Sequence, residues 1–148
     1  IICMTSNAGS TDKTMGVGFN KTADDISREK AIKGLREFLR PEFIGRIDEI
    51  VVFKQLSKED YTKIAGLMLD EMKEPLSEKN IELNYDENAL KAIAEKSHGK
   101  TDGARDIRRV IRQNIEDKIA NIIIEHASEI EEIAVSADKS GEITVEGK

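Results

Sequence analysis

Leu39-Arg40-Pro41-Glu42-Phe43-Ile44-Gly45-Arg46-Ile47-Asp48-Glu49-Ile50-Val51-Val52-Phe53 is the stretch whose reading decides the fold. Pro41 fixes its own φ and disfavours the helical region for Arg40, so a helix arriving from upstream stops here and a short new turn starts. Gly45 loosens that turn and leaves Arg46 at its end. Ile47, Ile50, Val51, Val52 and Phe53 then make a nearly continuous apolar, largely β-branched run, the pattern of a buried strand. Arg46 therefore stands at the lip of something buried. Its guanidinium does not deprotonate and suits a phosphate on a neighbouring molecule, while a pairing with Asp48 or Glu49 is the plainer alternative.

Upstream of this stretch, Ala31, Ile32, Leu35, Phe38 and Leu39 recur at helical spacing and predict an amphipathic helix over about 24–39. Before it lies an aperiodic polar segment with one apolar patch, Met15-Gly16-Val17-Gly18-Phe19, which reads as a loop carrying side chains that dock elsewhere or fold back on the core. The apolar opening Ile1-Ile2-Cys3-Met4 reads as a buried strand, cut at its start, that runs out into a loop with Asn7 at its mouth. Asn7 carries an acceptor and two donors on a short stem, enough to orient a water or a phosphate oxygen, or to close an Asx-turn.

Downstream, Ser57 followed by Asp60 has the pattern of a capping box. It opens a helix with Tyr61, Ile64, Leu67, Met68, Met72 and Leu76 on one face, which Pro75 kinks or ends. Ile81, Leu83 and Tyr85 alternate as a short strand, and Asp86 caps a helix through Leu90, Ile93 and Ala94 that stops near His98-Gly99. Gly103-Ala104-Arg105 then starts a helix continued by Ile107, Val110, Ile111, Ile115 and Ile119, with a break near Asn114. Arg105 in its first turn opposes the helix dipole, so an anion shared with the free N–H groups would explain it, as would a salt bridge to Asp102 or Asp106. Ile130, Ile133 and Val135, then Ser140-Gly141, then Ile143 and Val145 give two strands and a tight turn, completing a small three-stranded sheet.

The composition suits this mostly helical reading: 148 residues, 39% hydrophobic and 35% charged, with two prolines and no tryptophan. A net charge of −6 with basic residues spread along the chain disfavours nucleic-acid or anionic-membrane partners. The single cysteine, Cys3, has no mate for an intrachain bridge or a Cys-rich metal site, which fits a reducing compartment. His98 and His126 stand alone and invite no metal or acid–base role, so no metal site is expected in this chain.

Three features thus occur in one order: a strand ending Met-Thr-Ser-Asn, then Arg-Pro-Glu-Phe-Ile-Gly-Arg-Ile-Asp-Glu-Ile-Val-Val-Phe, then Gly-Ala-Arg opening a helix. Over essentially the whole chain this resembles the C-terminal part of the second AAA+ module of a Clp ATPase, the ring-forming protein unfoldases. The resemblance implies an α/β remnant of an AAA+ large domain over 1–55 and a mixed α+β small, or lid, domain with helices and a three-stranded sheet over 56–148. It also implies roles: Asn7 as the sensor-1 residue placing the attacking water, Arg46 as the arginine finger reaching the γ-phosphate of the neighbouring subunit, and Arg105 as the sensor-2 arginine. Gly103, Ala104 and Ile64 would belong to the nucleotide-facing set, Ile64 and Ala104 beside the adenine.

Val17-Gly18-Phe19 resembles the apolar-Gly-apolar tripeptide of members that serve the ClpP peptidase, which points to the ClpC or ClpE type. The implied partners are neighbouring subunits of a homohexameric ring, a ClpP-type peptidase, protein substrates and adaptors, in the cytoplasm, with neither nucleic acid nor membrane. The implied cofactor is ATP or ADP with Mg²⁺ in the longer protein. No G-x-x-x-x-G-K-[ST] loop occurs in the sequence, so this chain is not expected to bind nucleotide tightly or to hydrolyse ATP alone. Two positions depart from the family pattern: Gly45, where asparagine is usual, and Asp106, where proline is usual and where an acid would compete with phosphate for Arg105. The alternatives are a nucleotide-independent oligomerisation or adaptor-binding lid, and a ClpB-like disaggregase.

Overall fold

In the computed structural model, residues 1–7, 23–54, 56–99, 103–126 and 130–148 are described. The chain divides into two units, Ile1–Lys54 and Gln55–Lys148. The apolar patch with Val17, Gly18 and Phe19 lies outside the described residues.

In the first unit, helix α1 spans Ala23–Phe38 and its end is closed by the Leu39 N–H donating to the Leu35 carbonyl at 2.8 Å. Arg40 is extended, with φ −65° and ψ 146°, and Pro41 opens the short helix α2, Pro41–Ile44, at its first position. Proline's locked φ and missing N–H make both consequences natural. Gly45 has an ordinary right-handed conformation, φ −65° and ψ −9°, so the turn makes no use of glycine's freedom.

The two runs expected to be strands are not strands. Ile47–Phe53 and Ile1–Met4 form no ladder among the described residues; Val51 is 65% exposed, Phe53 87% and Ile2 90%. β-Branched composition states a fitness for a paired, half-covered surface rather than a backbone preference. No described strand of this unit lies beside either run, so the pairing that would stabilise them is missing.

The second unit is the expected mixed α+β fold. Helix α3, Lys58–Ser77, begins with the Ser57–Asp60 capping box: the Asp60 N–H donates to Ser57 Oγ at 3.2 Å and the Ser57 N–H to Asp60 Oδ2 at 2.9 Å. Pro75 sits in its last turn, and the helix ends at Ser77. The buried face is Tyr61, Ala65, Leu69 and Leu76, whereas Leu67 is 65% exposed and Ile64, Met68 and Met72 only half-buried. The expected face is thus rotated, because Ala65, which a reading of large side chains passes over, lies at 0% exposure and forms the line of contact.

Asn80, in the left-handed region at φ 60°, turns the chain into strand β1, Glu82–Tyr85. β1 pairs in parallel with β2, Glu132–Ala137, which pairs antiparallel with β3, Ile143–Gly147, giving the order β1-β2-β3. Leu83, Ile133, Val135 and Ile143 face the core. The β2–β3 turn is organised by the Asp138 carboxylate, which accepts from the Ser140 and Glu142 N–H groups at 2.8 and 2.9 Å, with Gly141 at φ 80°. At the α3–β1 contact the Tyr85 hydroxyl donates to Asp70 at 2.8 Å, and Lys73 pairs with Asp70 at 2.7 Å. Lys73 and then Tyr85 hold the Asp70 carboxyl below its usual range, while burial and then Asp70 push the Tyr85 phenol up.

Asp86 caps α4, Glu87–Ser97, through the Ala89 N–H at 2.7 Å. His98 follows, edge-on to the Tyr61 ring at 5.5 Å between centroids, and then Gly99 at φ 81°. Helix α5, Ala104–Ile111, runs through a π-turn at Arg112–Glu116 into α6, Asp117–Glu125. The expected break near Asn114 is this π-turn. Residues four apart drift by about 40° around an α-helix. The wider π-turn absorbs that drift, and Ile107, Ile111, Ile115 and Ile119 all remain buried. No described helix is long and apolar enough to cross a membrane.

Candidate functional site

The chain leaves α4, and Gly103 delivers it into α5 with φ 60° and ψ −124°, a backbone conformation that side-chain-bearing residues avoid. Apart from its neighbours in the chain, nothing among the described residues lies within 4 Å of where a Cβ would stand, so the glycine is explained by its backbone conformation. Ala104 and Arg105 follow as the first helical residues. Gly103 and Ala104 are half-buried and Arg105 is exposed. Ile64, half-buried on α3, packs against the core, and α3 itself packs against α5.

α5 has two opposed faces. Asp106, Ile107, Val110 and Ile111 are buried, while Arg105, Arg108, Arg109 and Arg112 are exposed along the other side. The expectation that basic residues are merely dispersed is corrected here: these arginines fall at i, i+3, i+4 and i+7, which a helix gathers into one stripe. That spacing was visible in the sequence, and Arg108, Arg109 and Arg112 were missed because net charge averages over the chain. A stripe of guanidiniums at a helix start is suited to bind a polyanion such as a chain of phosphates.

The expected competition between Asp106 and phosphate for Arg105 takes another form. The Asp106 carboxylate faces inward, 1% exposed, and is ion-paired to Arg109, whose side chain is 52% exposed. No buried side-chain nitrogen or oxygen among the described residues lacks a hydrogen-bond partner. Asp102, the other acid considered for Arg105, lies outside the described residues.

Asn7 and Arg46 belong to the first unit, and both are exposed. Arg46 closes the turn after α2, its N–H donating to the Phe43 carbonyl at 3.0 Å. Among the described residues no ion pair joins Arg46 to Asp48 or Glu49. His126 lines an open hollow with Ile122, Ile130 and Val145 at the end of α6. No group of His, Cys, Asp or Glu side chains among the described residues is arranged to hold a metal ion, so no Mg²⁺ ligand is assigned.

Residues 56–135 match the family described as the C-terminal, D2-small domain, of ClpB protein. The ATP-dependent Clp protease ATP-binding subunit ClpE of Bacillus subtilis is 38% identical over 126 residues, covering 85% of this chain and 18% of that protein. The chaperone protein ClpB of Prochlorococcus marinus is 36% identical over 129 residues, 87% of this chain and 15% of that protein. The ATP-binding subunit ClpC of Staphylococcus aureus is 34% identical over 147 residues, 95% of this chain and 18% of that protein. The chain thus spans less than a fifth of the length of these curated relatives.

Proposed function

Because the chain belongs to the Clp ATPases, through the family of the C-terminal D2-small domain of ClpB, we propose that it is the nucleotide-sensing and trans-acting end of a subunit that, in a homohexameric ring, couples ATP hydrolysis to protein unfolding. The observation that carries this reading is the entry to α5: Gly103 in a glycine-only conformation, then Ala104, then an exposed Arg105 heading a stripe of guanidiniums. Residues 1–55 supply Asn7 to orient the attacking water and Arg46 to stabilise charge on the γ-phosphate of the neighbouring subunit. Residues 56–148 are the lid, in which Arg105 meets phosphate and Ile64 and Ala104 offer apolar surface to the adenine. ATP, when bound, supplies the phosphoryl group, and transfer of that group is governed by positioning and charge neutralisation. An arginine finger contributes about 10³ to 10⁵ in rate in such systems.

Relatives named ClpE and ClpC favour delivery of substrates to a ClpP-type peptidase through Val17-Gly18-Phe19, in a cytoplasmic setting. The match to the ClpB domain keeps a disaggregase without a peptidase as the second reading. Loss of peptidase binding on changing Val17→Ser and Phe19→Ala separates the two; binding that survives both changes sets the first aside.

Mixing subunits tests the shared site. In the assembled ATPase, subunits with Arg46→Ala and subunits whose P-loop lysine is replaced are each expected to be inactive alone and to recover hydrolysis when mixed. Full activity of Arg46→Ala alone removes the finger assignment and favours a nucleotide-independent interaction module.

A further inference from the structure

Asp106 is a buried carboxylate, 1% exposed, to which the proposed chemistry gives no task. It is the third residue of α5, where a negative charge complements the helix dipole. Arg109, one turn on, folds back to it as both ion pair and hydrogen bond. Arg105, the residue before Asp106, leaves the helix toward solvent instead.

The first turn of a helix is its loosest part, since its leading N–H groups have no intrahelical acceptor. A guanidinium carried there on a long side chain inherits that looseness, and each added geometry dilutes the one that meets a phosphate. Here the turn is fastened on both sides of Arg105. Gly103 sets the entry with φ 60°, and the Asp106–Arg109 pair ties the turn down to the next one.

We propose that Asp106 is a positioning residue for Arg105, its pair with Arg109 holding the first turn of α5 in the geometry from which Arg105 meets the phosphates of a nucleoside triphosphate. The inference rests on the reading of Arg105 given under Proposed function.

The test is the KM for ATP of the assembled ATPase that carries this chain, in Arg105→Ala, Asp106→Asn, Arg109→Gln and the doubles Arg105→Ala/Asp106→Asn and Arg105→Ala/Arg109→Gln. Loss of one charge-assisted contact to phosphate raises KM about tenfold or more in Arg105→Ala. Asp106→Asn and Arg109→Gln each raise it about threefold to tenfold, and neither adds to Arg105→Ala in the double. A role in stability alone would persist when Arg105 is gone, so additive effects overturn the inference. If Arg105→Ala raises KM while Asp106→Asn and Arg109→Gln do not, the inference falls and the reading of Arg105 stands. If Arg105→Ala leaves KM unchanged, that reading falls and takes the inference with it. Should Asp106→Asn fail to fold, Arg109→Gln, which alters the exposed partner, completes the same cycle.

Discussion

Alanine at Gly103 and alanine at Gly66 are the same chemical change and are expected to act with opposite signs. Gly66 lies inside α3, where a Cβ would meet only the Leu90 methyl carbons, both at 3.9 Å, which is ordinary contact. Removing a helix-interior glycine there stabilises by about 0.5–1 kcal/mol, chiefly by restricting the unfolded chain. Gly103 has φ 60° and ψ −124°, and beyond its chain neighbours no atom of the described residues lies within 4 Å of an added Cβ, so alanine brings strain without new packing against them. Such backbone strain costs about 1–3 kcal/mol. The two variants should therefore differ by about 1.5–4 kcal/mol, which at a urea slope of about 1–3 kcal/mol/M separates their midpoints clearly. Urea unfolding followed by far-ultraviolet circular dichroism reads the midpoints, and hydrogen exchange at the amides of α4 reports global opening. A Gly103→Ala midpoint at or above that of the unaltered protein would refute the claim that glycine is required there by its φ.

The rotated face of α3 makes a second pair: Leu69→Ala, at 0% exposure, should cost about 2–5 kcal/mol. Leu67→Ala, at 65% exposure, should stay within about 0.5 kcal/mol; equal costs in urea unfolding would mean that the face is wrongly oriented. The capping box gives a pH prediction. The Ser57 hydroxyl, then the Ser57 N–H, hold the Asp60 carboxyl below its ordinary 3.8. A depressed folded value means that the contribution is present above the unfolded pKa and is lost as pH falls through the folded one, on the acid side of 3.8. Carbon-detected titration should place Asp60 below that value and return it toward the ordinary range in Ser57→Ala; an unmoved titration would show that the cap does not set it.

Local signals carried most of the second unit. Ser57 with Asp60, Asp86 before α4, Gly99 after it, and Ser140-Gly141 between β2 and β3 each act within a few residues, so reading the chain in order was enough. What failed depended on partners distant in sequence. Val51, Val52 and Phe53 have strand composition, but a strand exists only beside another, and none lies beside them among the described residues. Ala65 marks the burial line of α3 because of what packs on it, which its own side chain does not announce. Asn114 announced an interruption but not its kind; the π-turn follows from four isoleucines spaced by four, all held to one core.

The candidate site divides along the same line, and the arginines show why. A net charge of −6 suggests a surface indifferent to anions, yet charge acts over a Debye length of about 8 Å at physiological salt. Arg105 to Arg112 span seven helical steps, about 10 Å of rise, with Arg108 and Arg109 between them, so successive members of the stripe are separated by less than a screening length of rise and present a common field. The acidic residues that set the net charge are spread over α1, α3, α4 and β2, so their sum does not describe the field at that stripe. Of the acids nearby in sequence, Asp106 is buried and paired with Arg109, while Glu116 follows four residues after Arg112. Whether a face of this protein attracts phosphate is therefore decided by which residues a helix stacks and which it buries, and a sum over the whole sequence discards that information.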